Sequence, residues 1–394
     1  MRIDYFLPSI FLRHDKNKNF HKIFKNFLIL SKKKNIFSSL SKDFQLNFTS
    51  LEINYYKKFN NIVLVGMGGS ILGAKAIYGF LKNKIKKNFF FLENLDNRLI
   101  KKLYDKNLKN SLYLIISKSG NTLETLVNLN FLIQKKINKK NIIIISEKSE
   151  NILFKFSKKY KIKHIVHKKY IGGRYSVFSE VGMLPAELMG IKINKIRQNL
   201  MKFLKSPHYQ IAKNSVTKLS KLYKNNKFKT IILMNYYSGF EDILAWYQQL
   251  AAESLGKKGL GLLPVVSQAP KDHHSLMQLY LDGPKDKIFY IFSSEKKTKL
   301  VIKNHLYGKE FKFIKNKDLT QIINAQRNAF IKILRKKKIP YRHFIINNDD
   351  EKTLGEVLSY LMIETALLGL SLNLNPFDQP AVEEIKIETK KNLL

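Results

Sequence analysis

Not one cysteine occurs in the 394 residues. That absence excludes disulfides, thiol nucleophiles and cysteine-bound zinc, and it accords with a reducing, cytoplasmic setting. Long apolar runs are missing too, since no stretch approaches the roughly 18 residues that cross a bilayer. The stretch Met1 to Phe20 carries Asp4, Arg13, His14 and Asp15, so it lacks the uninterrupted apolar region of a cleavable leader. Acidic residues are few, 30 against 71 basic ones, for a net charge of +41. Such a balance raises nucleic acid or an anionic membrane as a partner. Yet only eight of the basic residues are arginine, the side chain that base readout and phosphate clamps favour. The lysines run along the whole chain beside abundant Asn, Ile, Phe and Tyr, as AT-rich codon usage produces. The expectation is a solvated lysine surface without a nucleic-acid or membrane partner. Its field raises the encounter rate of an anionic small molecule.

With 44% hydrophobic residues the chain can bury a full core, and its length suggests two or three structural units. Residues 1–55 read as an N-terminal helical layer, with Phe20, Ile23, Phe24, Phe27 and Leu28 at helical spacing. From Asn61 short apolar segments alternate with helical ones: Ile62 to Val65, Phe89 to Leu92, Leu112 to Ile116 and Ile142 to Ile145. That alternation predicts an α/β fold, a doubly wound and mostly parallel sheet covered on both faces. A second such unit follows, with strands at Thr230 to Met234, Ile288 to Phe292 and His343 to Ile346. Thr353 and Glu356 predict a capping box for an apolar helix through Leu370, after which Pro376 and a charged tail break the pattern. The expected units are 1–55, 56–205, 206–375 and a C-terminal segment 376–394. No short-period repeat or disordered linker interrupts them.

Two strand-to-helix turns carry anion-binding chemistry. Gly66-Met67-Gly68-Gly69-Ser70 lets backbone N–H groups and a helix N-terminus approach an anion. A dinucleotide fingerprint is the sharper alternative, with Glu93 as ribose acid, but Ile71 stands where its third glycine belongs. A plain tight turn is the bland reading. Ser117-Lys118-Ser119-Gly120-Asn121-Thr122 offers three hydroxyls, an ammonium and a glycine turn at a helix start, donors for a phosphate monoester without arginine or metal. Ser and Thr equally cap helices. Two such turns on neighbouring strands would converge at the carboxyl ends of the sheet, where open α/β sheets bind ligands.

These two turns resemble the phosphate site of the sugar-isomerase domain. Three further segments make the chain similar to the glucose-6-phosphate isomerase family: Gly172-Gly173-Arg174-Tyr175-Ser176, then Ala252-Glu253-Ser254-Leu255-Gly256-Lys257 with His274-Ser275 downstream, and Phe377-Asp378-Gln379-Pro380-Ala381-Val382-Glu383 with Lys386. The resemblance runs from about Asn61 to Lys386 and implies two tandem sugar-isomerase domains, residues 56–205 and 206–375. It implies an aldose–ketose isomerase of glycolysis and gluconeogenesis without cofactor or metal, acting on a sugar phosphate and working as a homodimer. By the same resemblance Glu253 transfers the proton, Arg174 stabilises an enediolate, and His274 and Lys386 assist ring opening, the histidine coming from the neighbouring subunit. Gly68, Gly69, Ser70, Ser117, Lys118, Ser119 and Thr122 hold phosphate, and Gln379 lines the sugar site.

The residues permit these roles on their own terms. A single carboxylate suits proton shuttling along one face of a planar intermediate. A guanidinium after two glycines can point at developing negative charge. Otherwise Glu253 reads as a surface or capping carboxylate and Arg174 as part of an ordinary turn. Asp272-His273-His274 also reads as a partial metal site, although no further His or Cys lies at ligand spacing. Of the two histidines, His274 with Ser275 matches the family pair. Ala381 stands where the family carries Gly, which strains the chain if φ is positive there, and Ser267 to Lys271 departs from the family's common forms. Alternatives are an isomerase of another hexose phosphate such as mannose 6-phosphate, a non-catalytic sugar-phosphate-binding regulator, and, on charge alone, a nucleic-acid binder.

Overall fold

A computed structural model describes residues 1–7, 18–33, 36–105, 110–225, 227–304 and 307–394. Two five-stranded sheets organise the chain. The first is built from β2 (Asn61–Val65), β3 (Asn88–Leu92), β4 (Leu112–Ile116), β5 (Ile142–Ser146) and β6 (Lys163–Val166), in the order β3-β2-β4-β5-β6, all parallel. The second contains β1 (Arg2–Phe6), β7 (Thr230–Asn235), β8 (Leu263–Gln268), β9 (Lys287–Ser293) and β10 (Tyr341–Ile345), in the order β1-β10-β9-β7-β8. Its strands are parallel except β1, which runs antiparallel along β10 with Arg2 opposite Ile345. Central strands such as β4 and β5 are buried along their whole length, as parallel strands covered by helices on both faces must be.

Three strands escape the sequence pattern, and all lie at sheet edges. β6 (Lys-His-Ile-Val) and β8, which contains Pro264, are only partly buried. An edge strand needs no continuous apolar run and tolerates proline. β1 corrects the expectation of a purely helical N-terminal layer: helix Lys18–Lys33 is present, but residues 2–6 complete the second sheet. Residues 8–17 and 34–35 of that layer lie outside the described residues.

One apolar cluster runs from the inner face of the first sheet to that of the second, through helices Leu72–Phe80, Glu241–Leu255 and Glu351–Ser371. Smaller clusters cover the outer faces. Against the expectation that no apolar stretch nears membrane-crossing length, helix Glu351–Ser371 is long and apolar enough by length and composition, but it is buried in this shared core. Its N-cap is Asp350, whose carboxylate accepts the Thr353 N–H at 2.7 Å. The expected box from Thr353 is thereby displaced by one turn, because Asp accepts the same bond and adds a charge that the helix dipole favours. Glu356 pairs instead with Lys202 at 3.0 Å. The tail does not stay irregular: Val382–Asn392 is helical, and Ala381 precedes it at φ −62°. Replacement of Gly by Ala therefore strains nothing at that position.

Candidate active site

β2 and β4 are adjacent, and the chain leaves them in opposite directions, so their carboxyl ends form the switch-point crevice of the first sheet. Both candidate turns sit there. Gly68 has φ +50°. The Gly69 backbone packs so closely on the turn at Gly173 that a Cβ on Gly69 would lie 2.2 Å from the Gly173 carbonyl carbon. The Ser176 hydroxyl joins the two, 3.2 Å from the Gly69 oxygen and 2.6 Å from that of Gly173. Ser70 ends the short helical turn that begins at Gly68. Glu93 does not behave as a ribose acid, since its carboxylate accepts from Lys75 at 2.5 Å.

In the second turn Ser117 Oγ lies 2.8 Å from Thr122 Oγ1, and Ser119 Oγ stands 3.5 Å from each. Gly120 has φ +65°, and a side chain there would strike Asn151. Thr122 occupies the N-cap position of helix Leu123–Gln134 without a side-chain capping bond. The hydroxyls therefore cluster with one another at a helix start, where an anion is favoured. Lys118 Nζ stands 3.8 Å from Glu147. Burial lowers its pKa, with Lys169 and Arg174 adding to the effect and Glu147 opposing it. An anion arriving in the turn relieves that penalty.

Glu253 reaches the first sheet from the second, on helix Glu241–Leu255, which follows β7 and packs on helix Leu72–Phe80. Its Oε2 accepts from Arg174 Nη1 at 3.2 Å and its Oε1 from Gln249 Nε2 at 2.8 Å. Arg174 is buried and spends every guanidinium N–H. Besides Glu253 it donates to Ser254 Oγ (2.9 Å), Gln379 Oε1 (2.6 Å), Pro376 O (2.7 Å) and Asp378 O (2.8 Å). Lys257 fastens the same segment by donating to the backbone and carboxylate of Asp378, each at 2.6 Å. One arginine thus ties together the glycine turn, the carboxylate and the C-terminal segment carrying Gln379.

Gln249 was not among the sequence candidates. It precedes Glu253 by one helical turn, on the same face, and its side chain lies where a Cβ on Gly68 would meet it. That i, i+4 spacing was the available signal. Its Oε1 is buried without a hydrogen-bond partner.

The hydrogen bonds that hold Glu253 come from Arg174 and Gln249, and among the described residues His274 is not one of its partners. His274 is exposed after β8, and Lys386 lies on the exposed helix Val382–Asn392. His273 turns inward, its Nε2 2.6 Å from Tyr236 Oη, and burial lowers its pKa. Asp272 is taken up locally by Ser267, Ser275 and the Gln268 N–H. The three side chains diverge. Among the described residues no cluster of three or more His, Asp or Glu could hold a metal.

Two doubly wound units, with a hydroxyl-lined crevice on one and a carboxylate delivered from the other, place the fold in the class of sugar isomerases. A profile of the phosphoglucose isomerase family matches residues 32–261. The chain is 33% identical over 353 residues to the glucose-6-phosphate isomerase of Methanocaldococcus jannaschii, covering 85% of each chain. It is 31% identical over 348 residues to that of Campylobacter jejuni, again 85% of each. A solved hypothetical protein of Thermus thermophilus shares the fold over the whole of both chains, with a TM-score of 0.85 at 24% identity. The chain belongs to the phosphoglucose isomerase family and is an isomerase.

Proposed function

We propose that the enzyme reversibly interconverts glucose 6-phosphate and fructose 6-phosphate through a cis-enediolate, as a step of glycolysis and gluconeogenesis in the cytoplasm. The observation that carries this reading is the setting of Glu253, held by Arg174 and Gln249 beside the glycine turn at Gly68. The substrate phosphate docks on Ser117, Ser119, Thr122 and Lys118, aided by Gly68 to Ser70. Glu253 takes the C2 proton, the C–H electron pair becomes the C1=C2 double bond, and the former carbonyl oxygen takes up negative charge. Return of the proton to C1, with the hydroxyl proton passing from O2 to O1, completes the isomerisation. Because the Arg174 donors are spent, its positive charge acts on the enediolate through space, in a site where nearby charges are weakly screened. His274 and Lys386 serve ring opening. The exposure of His274 accords with a homodimer in which His274 of a second copy completes the site.

The test is direct. Purified protein converts fructose 6-phosphate in excess EDTA, and Glu253→Gln lowers kcat by about 10²- to 10⁴-fold while phosphate-ester binding persists. Turnover that vanishes with chelator, or survives in the variant, overturns the mechanism. Mannose 6-phosphate as the better substrate overturns the assignment of the sugar.

A further inference from the structure

The loop that carries Arg174 is closed at its base by a carboxylate outside the catalytic cluster. Residues 167–179 run from the end of β6 to helix Glu180–Leu188. Glu180, at the far end of this loop, has a fully buried side chain (0% exposed). At the near end, Lys168 Nζ donates to Glu180 Oε1 at 3.1 Å, and His167 Nδ1 stands 3.9 Å from Oε2. The other ring nitrogen of His167 lies 3.1 Å from the Ile171 carbonyl oxygen, inside the loop. A third anchor comes from the N-terminal segment, where the Asn47 N–H donates to Glu180 Oε1 at 3.0 Å and the Asn47 side chain donates to Val166 O at 2.7 Å. Arg197 adds a second tie, donating to Ser39 O (2.9 Å) and Ser41 O (3.0 Å) while its Nη1 also donates to Phe178 O.

A glutamate in the first turn of a helix serves the helix dipole equally well when exposed. Full burial of its charge costs free energy unless charged and hydrogen-bonding partners surround it, and those partners lie at the two ends of this one loop and on the segment strapped across it. Burial alone would raise the pKa of Glu180, yet the nearby His167 ring, with Lys168 and the Asn47 N–H, holds it below the ordinary carboxylate value, although Oε2 and His167 Nδ1 make no hydrogen bond.

We propose that Glu180 is a positioning residue for Arg174, closing the base of the 167–179 loop against segment 39–47 so that the guanidinium is held at Glu253. This rests on the part in turnover assigned to Arg174 above. Glu180→Ala is expected to lower kcat for fructose 6-phosphate by about 10- to 100-fold, because a shift of about 1 Å at a reacting group costs that much, with KM little changed. Glu180→Gln keeps an oxygen for Asn47 and Lys168 and restores most of kcat. If the alanine variant does not fold, Lys168→Met tests the same closure and shows the same loss in kcat over KM. Unchanged kcat in a folded Glu180→Ala or Lys168→Met enzyme, or a loss that Gln does not restore, overturns the proposal. Arg174→Lys, measured in parallel, separates the two ideas: if it too leaves kcat unchanged, the reading of Arg174 fails, whereas loss there alone sinks only the role of Glu180.

Discussion

Arg174 organises the site because its guanidinium presents five N–H groups in a fixed plane and all are used, across a carboxylate, a hydroxyl, an amide oxygen and two backbone carbonyls. Lysine preserves the charge but has three donors on a flexible stem. Arg174→Lys is therefore expected to lower kcat by about 10²- to 10³-fold, the scale of losing a preorganised electrostatic group, and steady-state kinetics on fructose 6-phosphate checks it. Near-normal kcat would mean that charge alone suffices. Two glycines before a rare arginine made this residue visible in the sequence. Ser254 and Gln249 carried less signal. Ser254 accepts from Arg174 only because the second unit packs against the first, a long-range contact that no local spacing encodes.

At the scale of elements, the site depends on two backbone turns meeting with no side chain between them. A Cβ on Gly69 would lie 2.2 Å from the carbon and 2.4 Å from the oxygen of Gly173, and backbone has no rotamer with which to yield. Gly172 is different: the nearest atom to an added Cβ is Tyr175 Cδ2 at 3.8 Å, and its φ of −71° suits any residue. Gly69→Ala should cost about 1–3 kcal/mol, as overpacking does, and lower kcat by displacing Arg174. Gly172→Ala should be nearly silent in both. Urea midpoints and kcat for the pair decide; equal tolerance would show that the turns can separate. The buried strands were legible because a doubly covered strand is apolar throughout. β1, β6 and β8 were not, because edge strands carry mixed residues whose pairing is decided by a distant partner. Thr353 and Glu356 mimicked a capping box because their spacing is the same as a true one, and only the bond at Asp350 distinguishes the start.

Across the whole molecule, the two sheets share one apolar core, so polar groups enclosed by it couple the fold to pH. His343 lies on β10 between β9 and β1, 5% exposed, with Nε2 at 2.8 Å from Ser293 Oγ. Burial lowers its pKa to about 3, with the nearby charges of Arg327 and Arg2 adding to the effect. The folded value lies below the unfolded one of about 6.5, so the unfolded chain takes up the proton first. The contribution of neutral His343 is therefore complete above pH 6.5 and is lost as pH falls from there towards 3, by up to about 1.4 kcal/mol per unit. Burial lowers His273 and His164 in the same direction. Carboxylates held below their ordinary values, among them Asp272, Asp350 and Asp378, lose their contributions only at lower pH, as the chain is titrated through the carboxylate range. The window between about pH 6.5 and 5 therefore belongs to the histidines. His343→Gln keeps a neutral partner for Ser293 and cannot take up the proton. Urea unfolding measured from pH 7.5 to 5 should show a falling midpoint for the natural chain and a flatter line for the variant. Equal slopes would mean that the acid loss arises elsewhere and that His343 takes up as many protons folded as unfolded over that range.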